Sequence, residues 1–476
     1  MPTYLSPGVY VEEVPSAVQA IVGVGTSTAG FIGKVPDQVD LPRRIYGERF
    51  IPKNAAEKSF KLTKGPVATD SGTYEVWVGG VLDTAATLAN DNGEATLTIT
   101  LPNPAPPSDK IKAVVVNYLY KEPFVLPFEP SIVKLCTNFS EFRKFFGDFS
   151  LDPGQNTLAH AVYGFFDNGG TRCFVVRIVD DTQLEAALTA FGAVDEIALV
   201  AAPGITDDVF RSAIDSHCRV KTQDRFAIFD CPETVVDDKG FLDLTLLDPS
   251  NPMNILPDNS DYAAFYFPWI EVFDSAKKAL FPDSNGRIFV PPSGHVAGVY
   301  ARVDVRRGVF KAPANEVVMG ALGLKYMISK AQQDGLNPQG VNCIRDLNGN
   351  IRVWGARTAG GSANGEWRYI SVRRTMLYLR ESIDEGLQWA VFEPNDLNLW
   401  AKISRNVSAF LTTQWQLGML FGSTPQEAFY VKCDAETNPP ELREIGQVVT
   451  EIGVAIVRPA EFVIFRISQW QPAQRS

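Results

Sequence analysis

Histidine is scarce in this 476-residue chain: His160, His217 and His295 are its whole complement. None stands at a metal-type spacing from another histidine or from a cysteine, which argues against a zinc site. The cysteines, Cys136, Cys173, Cys218, Cys231, Cys343 and Cys433, lie far apart and form no C-x-x-C pair. Small secreted disulfide scaffolds look different, so reduced thiols in a cytosol are expected. No apolar run approaches the ~20 residues needed to span a bilayer, which excludes direct membrane insertion. Glu12 and Glu13 stand where a signal peptide needs an uncharged apolar stretch, and Pro2, Pro7 and Pro15 interrupt it. Synthesis and assembly in the cytoplasm are therefore expected. Positive charge is also in deficit, with 44 Lys and Arg against 55 Asp and Glu and a net charge of −11. That balance disfavours nucleic acid or an anionic membrane as the main partner.

Catalytic signatures are missing as well. There is no G-x-S-x-G elbow and no H-E-x-x-H. The stretch GVGTSTAGFIGK (residues 23–34) tempts a nucleotide reading, but a dinucleotide fingerprint needs a third glycine where Thr28 stands. A P-loop ending at Gly33 and Lys34 needs its first glycine at that same position, and Ser or Thr where Val35 stands. A tight passage from strand to loop, built of small residues, is the simpler expectation. The pairs Asp180–Asp181, Asp207–Asp208 and Asp237–Asp238 suit loops and helix caps, although a hydrolase pair stays open at this level. Arg306–Arg307 and Arg373–Arg374 suit a solvated face or an acidic partner better than phosphate. No catalytic, cofactor-binding or metal residue is expected.

What is present is ordinary soluble composition, 45% hydrophobic and 21% charged, with 30 Phe and 14 Tyr to anchor cores or interfaces. The length allows several domains of about 100–200 residues each. A Pro-Gly turn and a β-rich run, Val9 to Val14, open the chain. It alternates poorly, so backbone pairing would hold it better than a buried face. Residues 20–34 read as a buried strand and turn, and 34–54 as loop. Three β-type runs follow at 73–78, 95–101 and 110–120, with Asn92-Gly93 as a hairpin signal. Ala95, Leu97, Ile99 and Leu101 alternate with threonines, as in a half-buried strand. Beyond Pro130 the pattern becomes α/β. Helices are expected at 140–146, 157–166, 207–220 and from Ser293, and buried strands at 173–179, 197–202 and 225–230. On the Ser293 helix Val296, Val299, Tyr300 and Val303 share one face, with Arg302 and Arg306 off it. Long helices at 372–389 and 395–421 precede strands at 428–433, 447–457 and 461–469.

Several stretches resemble one family, the tail sheath proteins of contractile phages, R-type pyocins and extracellular contractile injection systems. They include YLSPGVYVEEVP (4–15), STAGFIGK (27–34), NFSEFRKFFGDF (138–149) and FFDNGGTRCFVVRI (165–178). FDCP (229–232), PPSGHVAGVYARVDVRRGVFKAPANE (291–316) and LNPQGVNCIRDLNGNIRVWGARTAG (336–360) continue the series. RRTMLYLRESIDEGLQWAVFEPND (373–396) and RPAEFVIFRISQ (458–469) complete it, in family order. The resemblance departs between about 35 and 130, in agreement with a small β-domain inserted there.

The resemblance implies an α/β (α+β) multidomain fold. An inner sheath domain would come from 21–34 and 340–460, a middle α/β domain from 131–339, and an inserted all-β outer domain from 35–130. Residues 1–20 and 461–476 would be arms that donate strands to neighbouring subunits, through Val9, Tyr10, Val11, Glu12, Val463, Phe465 and Ile467. It further implies a non-enzymatic subunit that polymerises helically around an inner tube and contracts to drive that tube through a target envelope. Partners would be further copies of the chain, the tube protein, and baseplate and terminal cap proteins; sheath paralogues in the same particle stay open. The particle itself would be released or envelope-anchored. A hydrolase or surface-binding protein using the α/β segment or the 35–130 domain is the alternative.

Overall fold

Five apolar runs, AAFYF, FAIFD, LVA, AGFIGK and CFVVRI, become adjacent strands whose residues are almost all buried. Parallel strands covered on both faces need this kind of continuous apolar sequence, because neither face can be polar. The computed structural model describes residues 20–53, 57–69, 72–91, 94–100 and 113–466. Its largest sheet has nine strands. Their order is Glu316–Val317, Asn350–Val353, Val341–Leu347, Ala263–Phe267, Phe226–Asp230, Leu199–Ala201, Ala29–Lys34, Cys173–Ile178 and Lys134–Cys136. The strands from Val341–Leu347 to Cys173–Ile178 run parallel. Both edges are antiparallel. The fold is α/β and multidomain.

The helix Asp208–Ser216 joins Leu199–Ala201 to Phe226–Asp230 in the expected βαβ unit. It starts where the Asp207 carboxylate accepts the Phe210 N–H at 2.8 Å. The helices Pro153–Asp167 and Ser293–Arg307 pack at unusually close range. A Cβ on Gly298 would stand 2.4 Å from the Phe165 carbonyl oxygen, and one on Gly294 2.4 Å from the Ala161 Cα. The Ser293 helix is buried over most of its surface, and Arg302, expected off its apolar face, is buried too. Its guanidinium donates to the Asn168 carbonyl at 3.0 Å and the Val317 carbonyl at 2.5 Å, so backbone oxygens replace water around it.

Between Lys34 and Lys134 every described element is a strand. Gln38–Phe50, Val114–Val125, Tyr74–Val78 and Val81–Leu82 form one sheet, and Ser59–Lys61, Glu94–Thr98 and Thr87–Asp91 another. Phe60, Leu88, Leu97, Val114, Val116 and Tyr118 are among the buried residues of a core of its own. Asp91 pairs with Glu94, leaving a two-residue link at 92–93, which lies outside the described residues. The expected loop at 34–54 is instead the 13-residue strand Gln38–Phe50. Pro42 hid it, since proline lacks a ladder donor; the strand is an edge strand and tolerates that loss.

Contacts divide the chain into two units, Gly25–Arg374 with Pro459–Ser476, and Met1–Val24 with Thr375–Arg458. The expected grouping of 21–34 with 340–460 differs from this division. Ala29–Lys34 and Val341–Leu347 are held by ladder bonds inside the nine-stranded sheet, so they belong with the α/β body. In the second unit, Ile21 packs against Gly386, where a Cβ would come within 2.7 Å, and the Val24 N–H donates to the Ser382 hydroxyl at 3.1 Å. The helix Leu397–Gln416 is capped by Asp396, whose carboxylate accepts the Leu399 N–H at 2.9 Å. The strands Phe429–Lys432 and Glu451–Val454 pair antiparallel as a two-stranded sheet.

Candidate assembly interface

Glu461 is tied down, and the described residues after it, 462–466, are not. Its carboxylate accepts the Arg357 Nε–H and Nη2–H, each at 2.8 Å, in a bidentate fork. Asn337 Nδ2 donates to it at 2.7 Å and the Tyr369 hydroxyl at 2.9 Å. Arg357, only 5% exposed, also donates to the Asn337 carbonyl at 3.3 Å and the Ser362 hydroxyl at 3.0 Å. Burial pushes the Glu461 carboxyl up, but the bonds from Arg357, Asn337 and Tyr369 outweigh it and hold the group below the ordinary glutamate range. Burial, reinforced by Glu461, pushes the Tyr369 hydroxyl up.

Immediately beyond come Phe462, Val463, Ile464 and Phe465, between 70 and 82% exposed. Residues 461–466 pair with no strand among the described residues, where the sequence led us to expect one at 461–469. A β-type sequence takes strand form only when an edge accepts it, and among the described residues no edge of this copy pairs with it. Of the expected arm residues, Val463 and Phe465 lie in this exposed run; Val9, Tyr10, Val11, Glu12 and Ile467 lie outside the described residues. The two-stranded sheet in the other unit has the complementary property. Among the described residues no third strand pairs with Phe429–Lys432 or Glu451–Val454, so both outer edges are open. Sheets this small are marginal alone.

Several polar groups that could have signalled chemistry are engaged in architecture. Ala29–Lys34 leads into a strand instead of a helix N-terminus, and its glycines serve packing: a Cβ on Gly33 would stand 2.6 Å from Leu158. His160 meets Asp274 at 3.1 Å deep in the protein, where Asp274 also caps the helix Ser275–Leu280 through the Lys277 N–H at 2.8 Å. Asp180 and Asp237 accept N–H groups in local turns. Arg373 meets Asp261, and Arg374 meets Asp304, so both arginines have acidic partners within the chain. Among the described residues no group of three or more His, Cys, Asp or Glu could hold a metal ion, and no helix is long and apolar enough to cross a membrane.

Residues 179–359 match the model of the phage tail sheath protein central domain, and residues 362–469 that of the phage tail sheath C-terminal domain. The chain belongs to the phage tail sheath family. The tail sheath protein of Burkholderia phage BcepMu is 28% identical over 211 residues, 43% of this chain and 42% of that protein. The chain therefore spans less than half the length of that curated relative. Two solved sheaths share its fold. One is an extracellular contractile injection system, the PVC sheath complex in the contracted state, with a TM-score of 0.64 at 24% identity over 98% of this chain and 99% of that one. The other is the anti-feeding prophage helical sheath in the contracted state, with a TM-score of 0.63 at 24% identity over 98% and 100%. The cage falls inside the matched sheath stretches, with Asn337 and Arg357 in the central domain and Tyr369 and Glu461 in the C-terminal one.

Sequence reading missed this cage. Arg357 and Glu461 stand in the quoted stretches GARTAG and RPAEF, yet no local pattern joins residues 104 positions apart.

Proposed function

We propose that this protein is a structural subunit, not an enzyme, that polymerises helically around an inner tube as a contractile sheath. The observation that carries the reading is the exposed apolar run Phe462–Phe465 on a chain that also has a two-stranded sheet with open edges. An arm from one copy adds a strand to the sheet of the next and satisfies its unpaired N–H and C=O groups. Donor and acceptor differ, so the contact is head-to-tail and generates a ring or helix, not a closed dimer. The N-terminal arm, through Val9, Tyr10, Val11 and Glu12, supplies a second strand, and Val463, Phe465 and Ile467 carry the C-terminal one.

The exchange sets terms of similar size against each other. Ordering the run costs about 1–2 kcal/mol per residue in backbone entropy. Burying each large apolar side chain contributes about 1.5–3 kcal/mol, and each strand hydrogen bond about 0.5–1.5 kcal/mol. These terms are of comparable size, and bringing two copies together costs about 4–15 kcal/mol more, so the strand exchange needs the other contacts between subunits to be stable.

Contraction is a rearrangement between two packings of the same subunits, released by a baseplate and needing no nucleotide. The tube protein, baseplate and terminal cap proteins, and sheath paralogues are the further partners, and assembly takes place in a bacterial cytoplasm before the particle is released or anchored. The 35–130 β-domain decorates the outer surface.

Sedimentation and negative-stain microscopy test the reading. The full chain should form rings or helical tubes, and a chain ending after Glu461 should stay folded by circular dichroism yet fail to polymerise. A full chain that remains monomeric over a wide range of salt and concentration would overturn it.

A further inference from the structure

All partners of the Glu461 carboxylate come from the unit that holds the nine-stranded sheet, although the whole of Thr375–Arg458 intervenes in sequence. The socket has supports that do not involve Glu461. The Arg357 fork is oriented by the Asn337 carbonyl and the Ser362 hydroxyl. Its walls touch backbone to backbone: a Cβ on Gly340 would stand 2.5 Å from the Thr358 carbonyl oxygen, and one on Gly361 2.3 Å from the Pro338 carbonyl oxygen. Both glycines have positive φ, +84° and +50°, which other residues rarely adopt. A planar guanidinium in a rigid socket fixes direction as well as position, which a lysine ammonium does not.

We propose that Glu461 is the positioning residue of the C-terminal arm. Its clamp on Arg357 sets the point and direction from which Phe462–Phe465 leave the subunit, and ties the arm to the α/β body. This rests on the sheath reading above. Without the clamp the arm pivots from Pro459 and samples a larger volume, so its effective concentration at a neighbour's sheet edge falls. With it, any rotation of the α/β body during contraction is passed directly to the neighbour that holds the arm.

The test compares full-length protein with Glu461→Ala, Glu461→Gln and Arg357→Lys, first as monomers and then as polymers. In the monomer, hydrogen exchange around 337–361 and 459–461 should be slow in the wild type and faster by about tenfold or more in Glu461→Ala, with the two conservative variants between them. Unchanged exchange in Glu461→Ala overturns the proposal, whether or not any variant polymerises. In assembly, Glu461→Ala should raise the critical concentration by about tenfold or more and broaden the helical rise and twist of the tubes that form. A merely structural tie predicts a lower melting temperature with unchanged rise and twist, and that result also overturns the positioning role. Wild-type protein that shows the protected clamp yet never assembles would instead bring down the sheath reading, and the arm's role with it.

Discussion

Arg374 and Asp304 face each other as a bidentate ion pair, with Nη1–Oδ1 at 3.0 Å and Nη2–Oδ2 at 2.6 Å. Both side chains are almost wholly buried, at 3 and 4% exposure. The Thr26 hydroxyl donates to the same carboxylate at 2.6 Å, and Arg374 also donates to the Thr26 carbonyl at 2.9 Å while lying over the Tyr300 ring. The pair thus ties the segment before Ala29–Lys34 to the Ser293 helix. Removing one partner strands a buried charge. Arg374→Ala and Asp304→Ala should each cost about 3–5 kcal/mol in urea unfolding. A double-mutant cycle should show strong coupling; additive losses would mean the pair contributes little as a pair.

Close helix packing makes a second prediction. Gly298→Ala places a methyl 2.4 Å from the Phe165 carbonyl oxygen, backbone that cannot turn aside. Overpacking of this kind costs about 1–3 kcal/mol. Gly335→Ala, in the helix Lys330–Leu336 with open space around the new Cβ, should instead stabilise by about 0.4–1 kcal/mol. Denaturation midpoints that move the same way for both variants would refute the contrast.

The pH dependence turns on Asp230. Burial pushes its carboxyl up to about 6, against hydrogen bonds from Ser293 and Gly204. An unfolded aspartate titrates near 3.9, so the folded state holds this proton more tightly. That contribution is fully present below about pH 4 and is lost as the pH rises through about 6, a difference of about 3 kcal/mol. His217 and His295 act in the opposite sense. Burial pushes them down to about 4 and about 3, so their contribution is present above about pH 6.5 and lost as the pH falls. Comparing Asp230→Asn with the wild type cancels the histidines. The variant should gain about 2–3 kcal/mol relative to the wild type between pH 4 and pH 7. A difference that does not change with pH would show Asp230 titrating as an ordinary aspartate.

The inserted β-segment can be removed if the cut respects its stem. Gln38–Phe50 and Val114–Val125 run antiparallel, with Pro42 opposite Lys121. The stem base packs near Gly147, where a Cβ would meet Phe124 and Leu41 at 3.2 and 3.3 Å. The buried Arg177 guanidinium depends on the flanks, reaching Asp37 Oδ1 at 2.8 Å and the Phe128 carbonyl at 2.7 Å. Deleting 43–120 and joining Pro42 to Lys121 through an Asn-Gly turn should leave a folded, assembling core. Deleting 37–128 removes the Asp37 and Phe128 partners of the Arg177 guanidinium, leaves the Val35 carbonyl at 3.3 Å, and should cost about 1–3 kcal/mol more in thermal or urea unfolding. Equal stability of the two deletions would contradict this account of Arg177.

Much was legible along the chain because burial and propensity leave local traces. CFVVRI and FAIFD read as buried strands because a parallel strand must be apolar on both faces. Asp207 suited a helix cap in the sequence, and it offers its carboxylate to a free N–H at the start of Asp208–Ser216. The run FVIF announced a strand, and whether it became one depended on pairing with an edge, which residues 461–466 do not do among the described residues.

By itself, the sequence determined much of the alternation of elements, the β-type runs between Lys34 and Lys134 and the apolar run Phe462–Phe465, since each is written in short-range pattern. Only the tertiary structure decided that Pro42 lies in an edge strand, that Arg302 is buried among carbonyls, and that Ala29–Lys34 joins the α/β sheet. It alone placed Glu461 in the fork of Arg357. Pairing partners far apart in sequence are selected by the free energy of the whole packed body, and no single segment carries that information.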